Sequence, residues 1–145
     1  IYRLGGENPA SVLREIVSRL LLPAEFDRDF LQQVLLARES LGSTAIGNGI
    51  AIPHVRNPVI LHVTQPSVTL CFLENPIDFK ALDGKPVNTL FTLISTTTRC
   101  HLHLLSRIGF VLHNPHLRQA LVDQAPREEL LAVLAAAEAE IPGSA

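Results

Sequence analysis

No stretch of this sequence is long and apolar enough to span a membrane. Its longest apolar runs, Leu20 to Pro23 and Leu130 to Ala137, fall far short of the roughly 20 residues a spanning helix needs, and no signal-peptide layout opens the chain. Cysteine is scarce: Cys71 and Cys100 stand alone without motif spacing, which points to reduced thiols in a cytoplasmic setting rather than a disulfide framework. Aromatics make up only 5% and never interleave with Lys or Arg, and the formal net charge is -2. The electrostatic footprint of a nucleic-acid-binding domain is therefore missing. Internal repeats and dividing linkers are absent as well. A soluble protein without these features, with 47% hydrophobic and 18% charged residues over 145 positions, is expected to form one globular domain over 1–145. The opening Ile1-Tyr2-Arg3-Leu4-Gly5-Gly6 carries no Met, so this domain is also read as the C-terminal part of a longer protein.

What is present alternates between helical and strand patterns. Asn8 caps and Pro9 opens a first helix with Val12, Leu13, Ile16, Val17 and Leu20 on one face. Asp27 caps a second, with Phe30, Leu31, Val34 and Leu35 facing inward and Gly42 at its end. Ser43 to Gly49 reads as a small-residue loop, followed by a short strand Ile50-Ala51-Ile52 that Pro53 stops. Ser67 to Leu73 and Val87 to Ile94 read as central strands of a covered sheet, joined through a turn at Asp83-Gly84-Lys85-Pro86. A third helix after Ser95-Thr96-Thr97-Thr98 carries Leu102, Leu105, Ile108 and Leu112 as its stripe. Two more helices begin at Asn114-Pro115 and after Pro126, ahead of an exposed tail Gly143-Ser144-Ala145. Helices on both faces of a buried sheet make an α/β domain.

The chemistry gathers around His54. Pro53 stiffens its stem and biases Ile52 to extended geometry. Upstream, Gly47 and Gly49 let backbone N–H groups approach an anion, and Ser43 and Thr44 add hydroxyls. Arg56 places a permanent cation two residues away, and Arg38 can reach the same loop. Such a setting suits a phosphoryl group. A neutral imidazole is a competent nucleophile provided its other nitrogen is fixed as N–H. His101, in the first turn of the third helix, is a candidate phosphate-orienting donor. His103 lies about 200° further round that helix, so only one of the two should reach the site.

Plainer roles remain open for several of these residues. Arg38 reads equally as a solvated helix-end cation, Arg56 as a partner-contact residue, and Ser43 and Thr44 as capping groups. His62, His103, His113 and His116 read as surface or packing residues. A metal hydrolase using His54, His101 and His103 is the competing enzyme class, but two histidines at i and i+2 share no helical face and no metal spacing accompanies them. No metal or other cofactor is called for. A third class is an interaction module in which phosphate on the same histidine only switches binding to a partner.

The ordered motifs Arg38-Glu39, Ser43-Thr44, Gly47 with Gly49-Ile50-Ala51-Ile52-Pro53-His54, Asp78-Phe79, Ala81-Leu82-Asp83-Gly84 with Pro86-Val87, and His101-Leu102 with Leu104-Leu105 resemble one family over nearly the whole chain. It is the enzyme IIA domains of the bacterial phosphoenolpyruvate-dependent phosphotransferase system, in the fructose/mannitol and nitrogen-regulatory branch. The resemblance implies a mixed five-stranded sheet flanked by helices, phosphorylation on His54, a second active-site histidine at His101, and an Arg-Glu pair, Arg38 and Glu39, near the site. It implies a histidine-containing phosphocarrier protein, or its nitrogen-branch counterpart, as donor and a IIB domain or a regulatory target as acceptor. Arg56 with Pro58 after His54 leans toward the regulatory branch.

Overall fold

Helix α1 (Pro9–Arg19) starts where Asn8 and Ser11 form a capping box. Its side chains Val12, Leu13, Ile16 and Val17 then fall on one face and are buried. Helix α2 (Arg28–Leu41) is capped by Asp27, whose carboxylate accepts the Phe30 N–H, and ends at Gly42. Arg28, the first residue of α2, donates to the carbonyls of Val17 and Leu20 at 2.5 and 3.0 Å, satisfying acceptors that the end of α1 leaves open. In this computed structural model, residues 1–143 are described; Ser144 and Ala145 of the expected tail lie outside them.

The remaining elements are β1 (Ala45–Gly47), β2 (Ile50–Ala51), a 3₁₀ turn at Pro58–Leu61, β3 (Ser67–Ile77), β4 (Val87–Ile94), α3 (Thr98–Val111), α4 (Pro115–Val122) and α5 (Arg127–Ala139). The chain divides into two compact units, Ile1–Thr98 and Arg99–Ala145. In the first, the strands form a mixed sheet in the order β1-β2-β4-β3, with β2 parallel to β4 and the other neighbours antiparallel. α1 and α2 pack on each other, and Leu13, Ile16, Leu31 and Leu35 close a core with Cys71, Leu90 and Ile94 of the sheet. In the second, α4 packs against α5, with Leu117, Leu121, Leu130 and Ala137 buried. The α/β class holds.

Several sequence expectations need correction. Four strands are described rather than five. A further pairing exists where Leu4 donates to the Phe72 carbonyl and accepts from Glu74 N–H, but it is a single parallel bridge. Arg3 at φ 54 and Gly6 at φ 141 leave the extended region on either side of it, although Ile1 still bonds to Leu70 and Phe72 of β3. β4 is central, as expected, whereas β3 has β4 as its one strand neighbour. The loop from Ser43 to Gly49 contains strand β1. Asn48 and Gly49, at φ 56 and 79, form the two-residue reversal of a β1–β2 hairpin, since Asn-Gly accepts two successive positive φ values. Phe30 is exposed, leaving Leu31 and Leu35 as the buried side chains of α2. On α3, Leu102 is 60% exposed, and the buried stripe runs through His101, Ile108 and Val111. A step of seven residues from Ile108 toward the N-terminus reaches His101, two helical turns away on the same face.

Leu90→Ala, which empties a fully buried site on the central strand, should lower stability by about 2–5 kcal/mol. Leu82→Ala, at a fully exposed position, should stay within about 0.5 kcal/mol. Urea titration followed by circular dichroism compares the two, and equal midpoints would contradict this core.

Candidate active site

His54 is delivered by a segment hydrogen-bonded on both sides. The Gly49 carbonyl accepts from the N–H groups of Asn88 and Thr89, at 2.9 and 3.1 Å. Ile52 N–H donates to Thr44 O at 3.0 Å, and Leu93 N–H donates to Pro53 O at 2.9 Å. His54 itself forms an isolated parallel bridge with Leu93. The backbone on either side of Pro53 is thus tied to β4, the strand buried on both faces, and the imidazole stands half-buried at the end of that tie.

The ring's orientation follows from one contact. His54 Nδ1 lies 2.7 Å from the carbonyl oxygen of Ile52. A carbonyl oxygen can only accept, so Nδ1 carries the proton and the neutral ring has its lone pair on Nε2. Burial pushes the imidazole below its ordinary value of 6.5; the Ile52 bond opposes that shift, the Arg38 charge adds to it, and the Glu39 charge opposes it. The neutral form therefore dominates at pH 7, the state in which an imidazole can act as a nucleophile.

The expected supporting residues divide. Arg38 and Glu39, at the end of α2, are both felt electrostatically by His54. Arg38 donates from Nη1 to the Gly42 carbonyl at 2.8 Å, and Glu39 accepts the Thr44 N–H and hydroxyl at 3.1 and 2.6 Å. The hydroxyls expected to face an anion are turned to the protein instead. Ser43 Oγ donates to the Phe79 carbonyl and accepts from Ala45 N–H, and the buried Thr44 gives its single proton to Glu39. Gly47 and Gly49 shape the hairpin, and both have positive φ. A Cβ on Gly47 would come within 3.2 Å of an Asp83 carboxylate oxygen, and one on Gly49 within 3.1 Å of Asn88 Oδ1. Arg56 is exposed, just ahead of the Pro58–Leu61 turn. His101 belongs to the second unit, where it is buried to 6% exposure in the first turn of α3. His62, His103, His113 and His116 are all exposed.

Asp83, which the sequence marks as a turn residue, has a further role at the site. One carboxylate oxygen accepts the Asn48 N–H at 2.8 Å and the other the Lys85 N–H at 3.0 Å, and these two bonds, Asn48's first, hold its pKa below the usual carboxylate value. It joins the β1–β2 turn to the loop before β4 and places a negative charge at the glycine pair, where a backbone cradle for an anion was expected. An Asp-Gly turn is a local signal, but a partner 35 residues away in the chain is not. Among the described residues no three His, Cys, Asp or Glu side chains converge as a metal site requires, and no helix is long and apolar enough to cross a membrane.

Comparison with known proteins fits this geometry. The family described as the phosphoenolpyruvate-dependent sugar phosphotransferase system, EIIA 2, matches residues 4–137. A nitrogen regulatory protein of Pseudomonas aeruginosa is 41% identical over 135 residues, covering 90% of this chain and 84% of that protein. The crystal structure of the nitrogen regulatory protein IIA-Ntr from Neisseria meningitidis superposes with a TM-score of 0.76 at 31% identity, covering 92% of each chain. The mannitol IIA of Escherichia coli, solved in complex with phosphorylated mannitol IIB, shares the fold at a TM-score of 0.70 and 19% identity, over 93% of this chain and 94% of that one. A half-buried neutral histidine at a strand end, in a chain matched along almost its whole length, places this protein in the EIIA 2 family of the phosphotransferase system, as a phosphotransferase component that works through a phosphohistidine.

Proposed function

We propose that His54 is the phosphoryl acceptor and that residues 1–145 act as one phosphoryl-carrier module in the cytoplasm. The observation that carries this reading is the 2.7 Å contact of Nδ1 with the Ile52 carbonyl, which commits the lone pair to Nε2. In the step envisaged, Nε2 attacks the phosphorus of a phosphohistidine on the donor, a histidine-containing phosphocarrier protein. The new N–P bond forms as the donor's N–P bond breaks, and that bond's electron pair returns to the donor imidazole. The acceptor ring becomes cationic and keeps its Nδ1–H, which the Ile52 carbonyl stabilises, so no proton has to move. Transfer of this kind depends on positioning and on charge near the equatorial oxygens. Arg38 is a cation whose charge acts on His54, and Arg56 is a second candidate. His101 enters as the second histidine of the site through the family resemblance.

Onward transfer to a IIB domain is one fate of the phosphate. The other is retention as a regulatory mark that changes the affinity of a target, and the likeness to two nitrogen regulatory proteins favours it. The added charge, about -1.5 to -2 by analogy with hydroxyl phosphates, would be the signal. Incubating the phosphorylated protein with IIB domains and following the label separates the two: rapid loss of phosphate to IIB supports the carrier, and retention supports the switch.

With phosphoenolpyruvate, enzyme I and either phosphocarrier as donor, the wild type should gain one acid-labile phosphate by intact mass and His54→Ala none. Labelling of His54→Ala at the wild-type rate would remove His54 from its role. His101→Ala should keep its circular dichroism and transfer phosphate on the order of 10–1000-fold more slowly, as expected for loss of one donor to developing charge. An unchanged rate would leave His101 a packing residue.

The pH dependence follows from the lowered pKa of His54. Between the folded value and 6.5, the unfolded chain holds a proton that the folded one lacks, so this residue's contribution to stability falls as pH drops through that window. NMR titration of the imidazole should give a midpoint below 6.5, and a midpoint above it would contradict the burial described.

A further inference from the structure

Four hydrogen bonds run from the end of α2 to the His54 ring. Glu39 accepts the Thr44 N–H at 3.1 Å and the Thr44 hydroxyl at 2.6 Å. The Thr44 carbonyl accepts the Ile52 N–H at 3.0 Å, and the Ile52 carbonyl lies 2.7 Å from Nδ1 of His54. Thr44 and Ile52 are 5% and 6% exposed, so water competes little for these bonds. From this chain we infer that Glu39 is a positioning residue, holding the His54 tautomer and the aim of Nε2 through Thr44 and Ile52. The inference rests on His54 being the acceptor.

A carboxylate beside a phosphoryl site has two other conceivable tasks, and the geometry favours neither. As a ligand it would repel the dianionic group, and both of its oxygens are already engaged with Thr44. As a charge acting on the imidazole, Glu39 ranks behind burial, the Ile52 bond and Arg38. What it does have is a rigid base. α2 is anchored by the fully buried Leu31 and Leu35, so a side chain near its end can transmit that rigidity to the β1–β2 hairpin. Thr44 is the coupling element: its hydroxyl proton goes to Glu39 while its carbonyl holds Ile52, the residue whose own carbonyl selects the tautomer.

Charge and positioning separate in four variants. Glu39→Gln removes the charge but can keep both contacts, because the amide oxygen accepts from Thr44 N–H and the amide N–H donates to a hydroxyl able to accept. Glu39→Ala removes both contacts. Thr44→Val removes the hydroxyl bond at nearly constant shape, and Thr44→Ser retains it. Each would be assayed for phosphate uptake from the phosphorylated phosphocarrier protein, with ¹⁵N chemical shifts of His54 reporting the tautomer.

Glu39→Ala and Thr44→Val should lower the rate at saturating donor on the order of 10–100-fold, leave the half-saturating donor concentration unchanged, and move the His54 ¹⁵N signals toward a tautomer mixture. Glu39→Gln and Thr44→Ser should stay near wild type in both readouts. Wild-type rates and an unchanged tautomer in Glu39→Ala and Thr44→Val would overturn the inference, as would a loss in Glu39→Gln equal to that in Glu39→Ala. The near-isosteric Thr44→Val keeps the test decisive should Glu39→Ala fail to fold. His54→Ala, run alongside, distinguishes the two levels: phosphate on it defeats the acceptor assignment, whereas no phosphate on it together with indifferent Glu39 and Thr44 variants defeats only the role of Glu39.

Discussion

The contact between His54 Nδ1 and the Ile52 carbonyl, two residues back along the same chain, is the constraint on which the site depends. An imidazole is useful to phosphoryl transfer only when one nitrogen is committed as a donor and the other left basic, and in water the ring exchanges between its two tautomers freely. A backbone carbonyl is a dependable selector because it has no hydrogen to give and moves only with the main chain. Pro53 between the two residues restricts that main chain, since its ring fixes φ and biases Ile52 toward extended geometry.

The sheet topology serves the same end. β4 is buried on both faces and paired on both edges, and the segment from Gly49 to His54 is fastened along it by the Gly49 and Pro53 carbonyls. The polar residues upstream, Ser43 and Thr44, give their hydroxyl protons to Phe79 and Glu39, so the loop that enters the hairpin is held by partly buried side-chain bonds. Half-burial of the ring then does electrostatic work, disfavouring the imidazolium more than the Ile52 bond favours it.

Much of this was legible in the sequence, for local reasons. The capping residues Asn8, Asp27 and Asn114 act within one helical turn, and so mark helix starts wherever they occur. Pro53-His54 at a strand end could be read the same way, as could the burial of Cys71, whose thiol is pushed up to about 11 chiefly by burial. What the sequence did not show had several causes, local and non-local. The hairpin at Asn48-Gly49 was hidden because β1 and β2 are too short to show an alternating pattern, although Asn-Gly is itself a hairpin signal. Ser43 and Thr44 looked available for an anion because neither Phe79 nor the carboxylate of Glu39 can be placed from spacing alone. Leu102 was assigned to the buried stripe of α3 as an apolar residue, although the step from Ile108 falls on His101. Asp83 was visible as a turn residue and invisible as the partner of Asn48.

The parallel register of β2 with β4, Ile50 against Thr89 and Ala51 against Leu90, also bears on how the chain acquires its structure. The β1–β2 hairpin closes over two residues, but the β2–β4 pair requires the ends of a long intervening segment, including all of β3, to meet. Pairings of high sequence separation carry a larger loop-closure entropy and are slow to form. The tethers that hold the His54 segment against β4 are therefore complete only once this long-range pairing is in place, and a partly folded chain, whatever its helix content, lacks them.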